Sequence, residues 1–130
     1  MNNTSGKTGN LLVASSEEIL QLVLSNVLKD AGYKVTIVGD GLEALYTIGT
    51  FHITQTPFDL LLLDFELSKL NCTNLLDRLE KMRINVPVIV IIPPKSPITN
   101  KKLLSYKNVI NSIEKPFLRE KLLDMIKQVI

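Results

Sequence analysis

The chain is poor in the residues from which most catalytic and metal centres are assembled. Cysteine occurs once, at Cys72, which excludes an intramolecular disulfide and every multi-cysteine metal site. Histidine also occurs once, at His52, so a histidine-rich metal site cannot form. Tryptophan is absent, and the three Tyr and four Phe are too few for a broad base-stacking platform. No apolar run approaches the roughly 20 residues needed to cross a bilayer. The polar start Met1–Asn10 lacks the apolar core of a secretory signal and reads as a flexible arm, so the expected location is cytoplasmic. Gly6-Lys7-Thr8 within it has neither the earlier glycine nor the preceding strand of a phosphate-binding loop. An excess of one charge is missing as well: the formal net charge is +2, which makes nucleic acid an improbable partner.

What is present is one domain's worth of sequence, residues 11–130, with 45% hydrophobic side chains. Four short apolar runs, Leu11–Ala14, Tyr33–Val38, Leu60–Leu63 and Val88–Ile92, read as strands, and Val109–Ile113 as a fifth, shorter one. Between them lie helical patterns. Ser15 or Ser16 before Glu17 and Glu18 is helix-start chemistry, followed by Ile19, Leu20, Val23, Leu24, Val27 and Leu28 at helical spacing up to Gly32. Gly39-Asp40-Gly41 reads as a turn into a helix from Leu42 toward His52. A third helix is expected from about Thr73 to Met82, with Leu75, Leu76, Leu79 and Met82 inward. A short one is expected at Asn100–Tyr106, and a last one carries Leu118, Leu122, Leu123, Met125, Ile126 and Val129. Cys72 falls in a loop or at a helix start, and His52 on the surface. This alternation predicts an α/β fold, a doubly wound five-stranded parallel sheet with helices on both faces. Such sheets put their sites beyond the carboxyl ends of the strands, here at Ser15-Ser16, Asp64, Ile92-Pro93 and Lys115.

The sequence Leu-Leu-Leu-Leu-Asp64, the segment Glu-Lys115-Pro-Phe and the run Asp40-Gly41-Leu42-Glu43-Ala44-Leu45 together resemble the receiver domain of two-component response regulators. The resemblance runs from about Leu11 to Ile130 and implies the flavodoxin-like strand order 2-1-3-4-5. It makes Asp64 the phosphoacceptor equivalent and Lys115 the phosphate-contacting lysine. It also exposes departures. The family's acidic pair falls on Ser15 and Ser16, its hydroxyl residue on Ile92 with Pro93 next, and its aromatic switch position on Ser112. The chain therefore resembles a degenerate receiver, or pseudo-receiver.

Magnesium demands an octahedral oxygen shell, usually built from carboxylates and water. With Asp64 as the remaining acid of that set, Mg²⁺ binding is expected to be weak. Glu17 or Glu66 is a potential compensating ligand, and the Glu66 side chain either reaches the ion or faces solvent. Ile92 offers no hydroxyl to a phosphoryl oxygen, and Ser112 has no ring to swing inward. A direct Asp64–Lys115 ion pair is expected in the metal-free cleft.

The expected function is a signalling interaction module with an impaired Mg²⁺/phosphorylation site. The alternative is a working phosphoacceptor served by a histidine kinase or phosphotransfer protein. An unrelated small enzyme is disfavoured, since no Ser, His or Cys forms an evident triad.

Charge is unevenly spread along the chain. Residues 1–68 hold three Lys and no Arg against eight acids, whereas residues 69–130 hold twelve Lys and Arg against five acids. In the resembled family, partners and dimer mates use the face of helix 4, strand 5 and helix 5. Lys101, Lys102, Lys107, Arg119 and Lys121 make that face basic here, suited to an acidic protein partner, a kinase or downstream signalling protein, or to a homodimer.

Overall fold

The computed structural model describes residues 9–130; residues 1–8 of the polar start, with the Gly6-Lys7-Thr8 segment, lie outside the described residues. Five strands alternate with five helices: β1 Asn10–Ala14, α1 Glu18–Asp30, β2 Lys34–Val38, α2 Gly41–Ile53, β3 Leu60–Asp64, α3 Cys72–Lys81, β4 Val88–Ile92, α4 Asn100–Leu104, β5 Val109–Glu114 and α5 Arg119–Lys127. All pair in parallel in the order β2-β1-β3-β4-β5, as the alternation predicts. Asn10, placed with the arm by composition, opens β1 opposite Lys34.

The central strands are continuous apolar runs because both of their faces are covered. Successive side chains point to opposite sides of a strand, so each run divides between two cores. Leu12, Ala14, Leu61, Leu63, Val88, Val90 and Ile92 meet side chains of α2, α3 and α4. Leu11, Val13, Leu60, Leu62, Ile89, Ile91 and Ile113 meet α1 and α5. Burial on both faces explains why β1, β3 and β4 show no polar alternation, whereas β5, at the sheet edge, exposes Ile110, Asn111 and Glu114.

Several local expectations change. Neither Ser15 nor Ser16 caps α1: Glu17 occupies that position without a side-chain cap bond, while Ser15 Oγ accepts the Glu17 N–H at 3.1 Å. The serine chemistry is present but is spent on the turn before the helix. The apolar stripe of α1 is wider than its contact with the sheet. Leu24 and Leu28 are fully buried, but Ile19 is 79% and Val23 46% exposed. On α3, Leu75, Leu76 and Leu79 are buried as expected, whereas Met82 is the C-cap and stands exposed. Cys72 is the first residue of α3 and is buried; His52 is exposed in the last turn of α2. α4 is shorter than expected, ending at Leu104.

The loops that bear the site are tied to one another. Asp40 caps α2 by accepting the Glu43 N–H at 2.8 Å, and this backbone bond is the largest influence on the Asp40 pKa, which it lowers against the opposing effect of burial, with a further contribution from the charge of Lys69. The Gly41 N–H donates to the Ser68 carbonyl at 3.0 Å, bringing α2's first turn against the loop after β3. A Cβ at Gly41 would collide with the Leu70 carbonyl, and backbone cannot swing aside as a side-chain tip can. Gly41→Ala is therefore expected to lower stability by about 1–3 kcal/mol, the range for overpacking, measured as a lower urea midpoint with unchanged slope.

Candidate functional site

The carboxyl ends of β1, β3 and β5 bring three sequence-distant groups together. Asp64 is the last residue of β3, with its side chain only 1% exposed. A buried carboxylate needs partners for both oxygens, and here each has more than one. Ser15 Oγ, itself buried beyond β1, donates to Asp64 Oδ2 at 3.1 Å. The Glu66 backbone N–H donates to Oδ1 at 3.1 Å. Lys115 Nζ stands 3.2 Å from both Asp64 oxygens.

Lys115 follows β5, and its backbone N–H donates to the Ile92 carbonyl at 2.8 Å, which anchors the chain where the side chain departs. The ammonium is shared. Glu17 Oε1 lies 2.7 Å from Nζ and Glu66 Oε1 3.6 Å. Both glutamates named by the sequence as potential metal ligands thus face the same lysine. Burial alone would lower the Lys115 pKa, but the Glu17 hydrogen bond and the Asp64 charge outweigh it and hold the value above 10.5. On the inner side, burial first and the Asp64 charge second push the Cys72 thiol up to about 12, so it is neutral and unreactive in the folded protein.

Ser16 points away from Asp64. Its hydroxyl donates to the Gly39 carbonyl at 2.8 Å, accepts the Ser68 N–H at 3.2 Å and lies 3.0 Å from Ser68 Oγ. It joins the loops after β1, β2 and β3. Ser68 and Gln21, whose side-chain amide donates to the Ser15 carbonyl at 2.6 Å, were not evident in the sequence; neither has a neighbouring motif to mark it. Ile92 is buried in the core beneath α4. Ser112 lies apart from the cleft, donating from Oγ to Asn100 Oδ1 at 2.6 Å.

A carboxylate ending the middle strand and a lysine reaching it from the loop after β5 thus meet at the carboxyl edge of the sheet, above an apolar core. Residues 11–127 match the response regulator receiver domain family. The chain belongs to that family. As a receiver domain it is 35% identical over 83 residues to the DNA-binding transcriptional regulator NtrC of Bradyrhizobium sp. (strain RP501 Parasponia), covering 64% of this chain and 16% of that protein. It is 26% identical over 122 residues to the probable transcriptional regulator ycf29 of Porphyra purpurea, covering 93% of this chain and 56% of that protein. The receiver thus spans less than two thirds of either relative. The crystal structure of FixJ-N superimposes with a TM-score of 0.81 at 20% identity, covering 95% of this chain and 94% of that one, which shows the shared fold. No helix among the described residues is long and apolar enough to cross a membrane.

The cluster has a pH signature. A raised lysine pKa means that the stabilisation is fully present below 10.5 and is lost as pH rises through the folded-state value. Lys115→Met leaves the Asp64 carboxylate buried without its counter-ion and is expected to cost about 3 kcal/mol near neutral pH. It should also remove the part of the alkaline stability loss that begins above 10.5. Glu17→Gln, at a side chain 60% exposed, should cost less than about 1 kcal/mol. Urea denaturation from neutral pH through the alkaline range measures all three.

Proposed function

We propose that this receiver domain has an impaired Mg²⁺ and phosphorylation site and acts mainly as a protein–protein interaction module in two-component signalling. The observation that carries the reading is Ser15. A buried, neutral hydroxyl donates a hydrogen bond to Asp64 where the family places an acid that would share a cation with it. Ser16, the second position of that pair, spends its hydroxyl on Gly39 and Ser68.

The donor set argues the same way. Among the described residues no three His, Cys, Asp or Glu side chains are grouped so as to hold a metal ion. Glu17 and Glu66 converge on Lys115 and are about 60% and 59% exposed, which favours water and the ammonium over a dehydrated divalent ion. Ile92 presents a hydrocarbon where a phosphoryl group would need a donor. Ser112 gives strand β5 no ring to swing inward on phosphorylation, and its hydroxyl is engaged with Asn100.

With that switch weakened, recognition falls to the surface. Lys101, Lys102, Lys107, Arg119 and Lys121 are all exposed on or beside α4 and α5, and none forms an ion pair among the described residues. Lys102 lies over the Tyr106 ring, 5.7 Å from its centroid, which orders one cation of the group. An acidic protein surface, on a kinase or a downstream signalling protein, is the complementary partner.

The second reading, a working phosphoacceptor on Asp64 served by a histidine kinase or phosphotransfer protein, draws on the retained Asp64–Lys115 pair. One experiment separates the two. Incubation with acetyl phosphate, or with beryllofluoride as a mimic, in millimolar Mg²⁺ is expected to leave Asp64 unmodified by intact mass and by NMR. The Ser15→Asp/Ser16→Asp variant should raise Mg²⁺ affinity by at least about tenfold, because it adds one carboxylate within reach of Asp64 and a second at the neighbouring loop position. Stoichiometric wild-type modification that Asp64→Asn abolishes would establish the phosphoacceptor reading instead.

A further inference from the structure

Helix α2 carries an apolar stripe that the described residues leave uncovered. Leu42, Tyr46, Gly49 and Ile53 follow one another at spacings of four, three and four residues. At 3.6 residues per turn they fall within about 60° of one another around the helix. No other residue of α2 lies inside that arc; Thr50 borders it on one side and the half-buried Leu45 on the other. Tyr46 is 75% and Ile53 80% exposed, and Leu42 is exposed as well. Met82 carries the stripe onto α3: it is exposed, and its Cε would lie 3.7 Å from a Cβ at Gly49. Isolated exposed apolar residues are ordinary, but contiguous ones mark an interaction surface.

Gly49 adds a second sign. Glycine inside a helix costs stability relative to alanine. The fold does not require it here, because a Cβ at this position would meet only Met82 Cε, at an ordinary contact distance. The missing side chain leaves a gap in the middle of the stripe, between Tyr46 and Ile53, where another chain can approach the α2 backbone closely.

The charges beside the stripe point to its occupant. Arg78 stands one turn before Met82 and shares its side of α3, so it borders α2. Lys81 and Arg83 flank Met82 in sequence, and Lys69 stands at the start of α2, 3.5 Å from the capping Asp40. All four bases are exposed, and Arg78, Lys81 and Arg83 form no ion pair among the described residues. The acids of α3 lie elsewhere: after burial, the charges of Asp77 and Glu80 help to raise the Tyr106 pKa, which puts them on the side toward α4. Glu43 turns back to accept the Gly39 N–H at 2.8 Å. A second copy fits this edge poorly. A two-fold axis across the middle of α2 would bring Met82 near its own copy, and Arg78 and Arg83 with it. We infer that the α2 stripe and Met82 dock an amphipathic helix of a partner protein, with its apolar side chains on Leu42, Tyr46, Gly49 and Ile53 and an acidic edge along Arg78 and its neighbouring bases. This is recognition of a helix through anchors at helical spacing. The surface is separate from the basic face of α4 and α5, and it does not depend on whether Asp64 accepts a phosphoryl group.

Two alanine-based helical peptides serve as probes, each with Leu at positions i, i+4, i+7 and i+11, one edged with Glu and the other with Lys. Each is titrated into the ¹⁵N-labelled whole chain and followed by NMR. The Glu-edged peptide is expected to shift the amides of 42–53 and 78–83. At low salt it should bind about tenfold tighter than the Lys-edged one. Tyr46→Glu and Gly49→Gln should each weaken it about tenfold or more, with circular dichroism melts confirming that these variants keep the fold. Arg78→Glu should reverse the preference between the two peptides. Binding of neither peptide overturns the inference, as do shifts confined to α1 or to α4 and α5, equal affinities for the two peptides, or binding untouched by Tyr46→Glu. Amide shifts on α2 that move with protein concentration alone overturn it too, by assigning the face to a second copy.

Discussion

The cleft of this receiver is organised around one electrostatic demand: a carboxylate buried at the end of the middle strand. Asp64 sits among five-strand packing with a side chain almost wholly removed from water. Left alone it would carry a desolvation cost of several kcal/mol or take up a proton. Its neighbours answer that demand in order of reach. The Glu66 N–H comes from the same loop, the Ser15 hydroxyl from the adjacent strand, and the Lys115 ammonium from beyond β5. Each belongs to a different piece of chain, so the carboxylate can be satisfied only when β1, β3 and β5 are all in register. The ion pair thereby couples local chemistry to the correct sheet order.

Much of this was legible in the sequence because apolar runs in a parallel sheet carry little ambiguity. Leu60–Leu63 and Val88–Ile92 are too short for helices and too apolar for an exposed strand, and the helical patterns between them leave only crossover connections. The positions of Asp64 and Lys115 at strand ends follow directly, and their pairing was expected. The details of α1 were not legible. Periodicity reports which residues share a stripe, not how wide a stripe the sheet can cover, so Ile19 and Val23 passed for core. Nor does a pair of serines announce its partners. Ser15 and Ser16 are adjacent in sequence, yet one turns inward to Asp64 and the other outward to Gly39 and Ser68. That division depends on three loops meeting, which no local pattern records.

The uneven charge along the chain acquires a spatial meaning only in part. The acids of the first half include Asp64, Glu17 and Glu66, which gather around Lys115, a base from the second half. The remaining bases near α4 and α5 have no such partners among the described residues and stay on the surface. One lysine is thus consumed inside the cleft while its sequence neighbours remain available outside it. A composition that nearly cancels in the total thus puts three acids around one lysine in the cleft and leaves a group of lysines and arginines on the surface near α4 and α5.

The serines and the lysine are best understood as one adjustment. Glu17 and Glu66 are more than half exposed, so water screens their charge and only Asp64 requires compensation from within the protein. A single ammonium at 3.2 Å supplies it. A carboxylate at position 15, which is fully buried and within hydrogen-bond reach of Asp64, would add a second charge that one lysine shared among three acids could not also balance. Two neighbouring buried carboxylates call for a divalent cation or for protonation of one of them. Replacing that acid by a hydroxyl removes the repulsion and contributes a donor in the same step. With a hydroxyl at position 15, the cleft answers its buried aspartate with the chain's own groups.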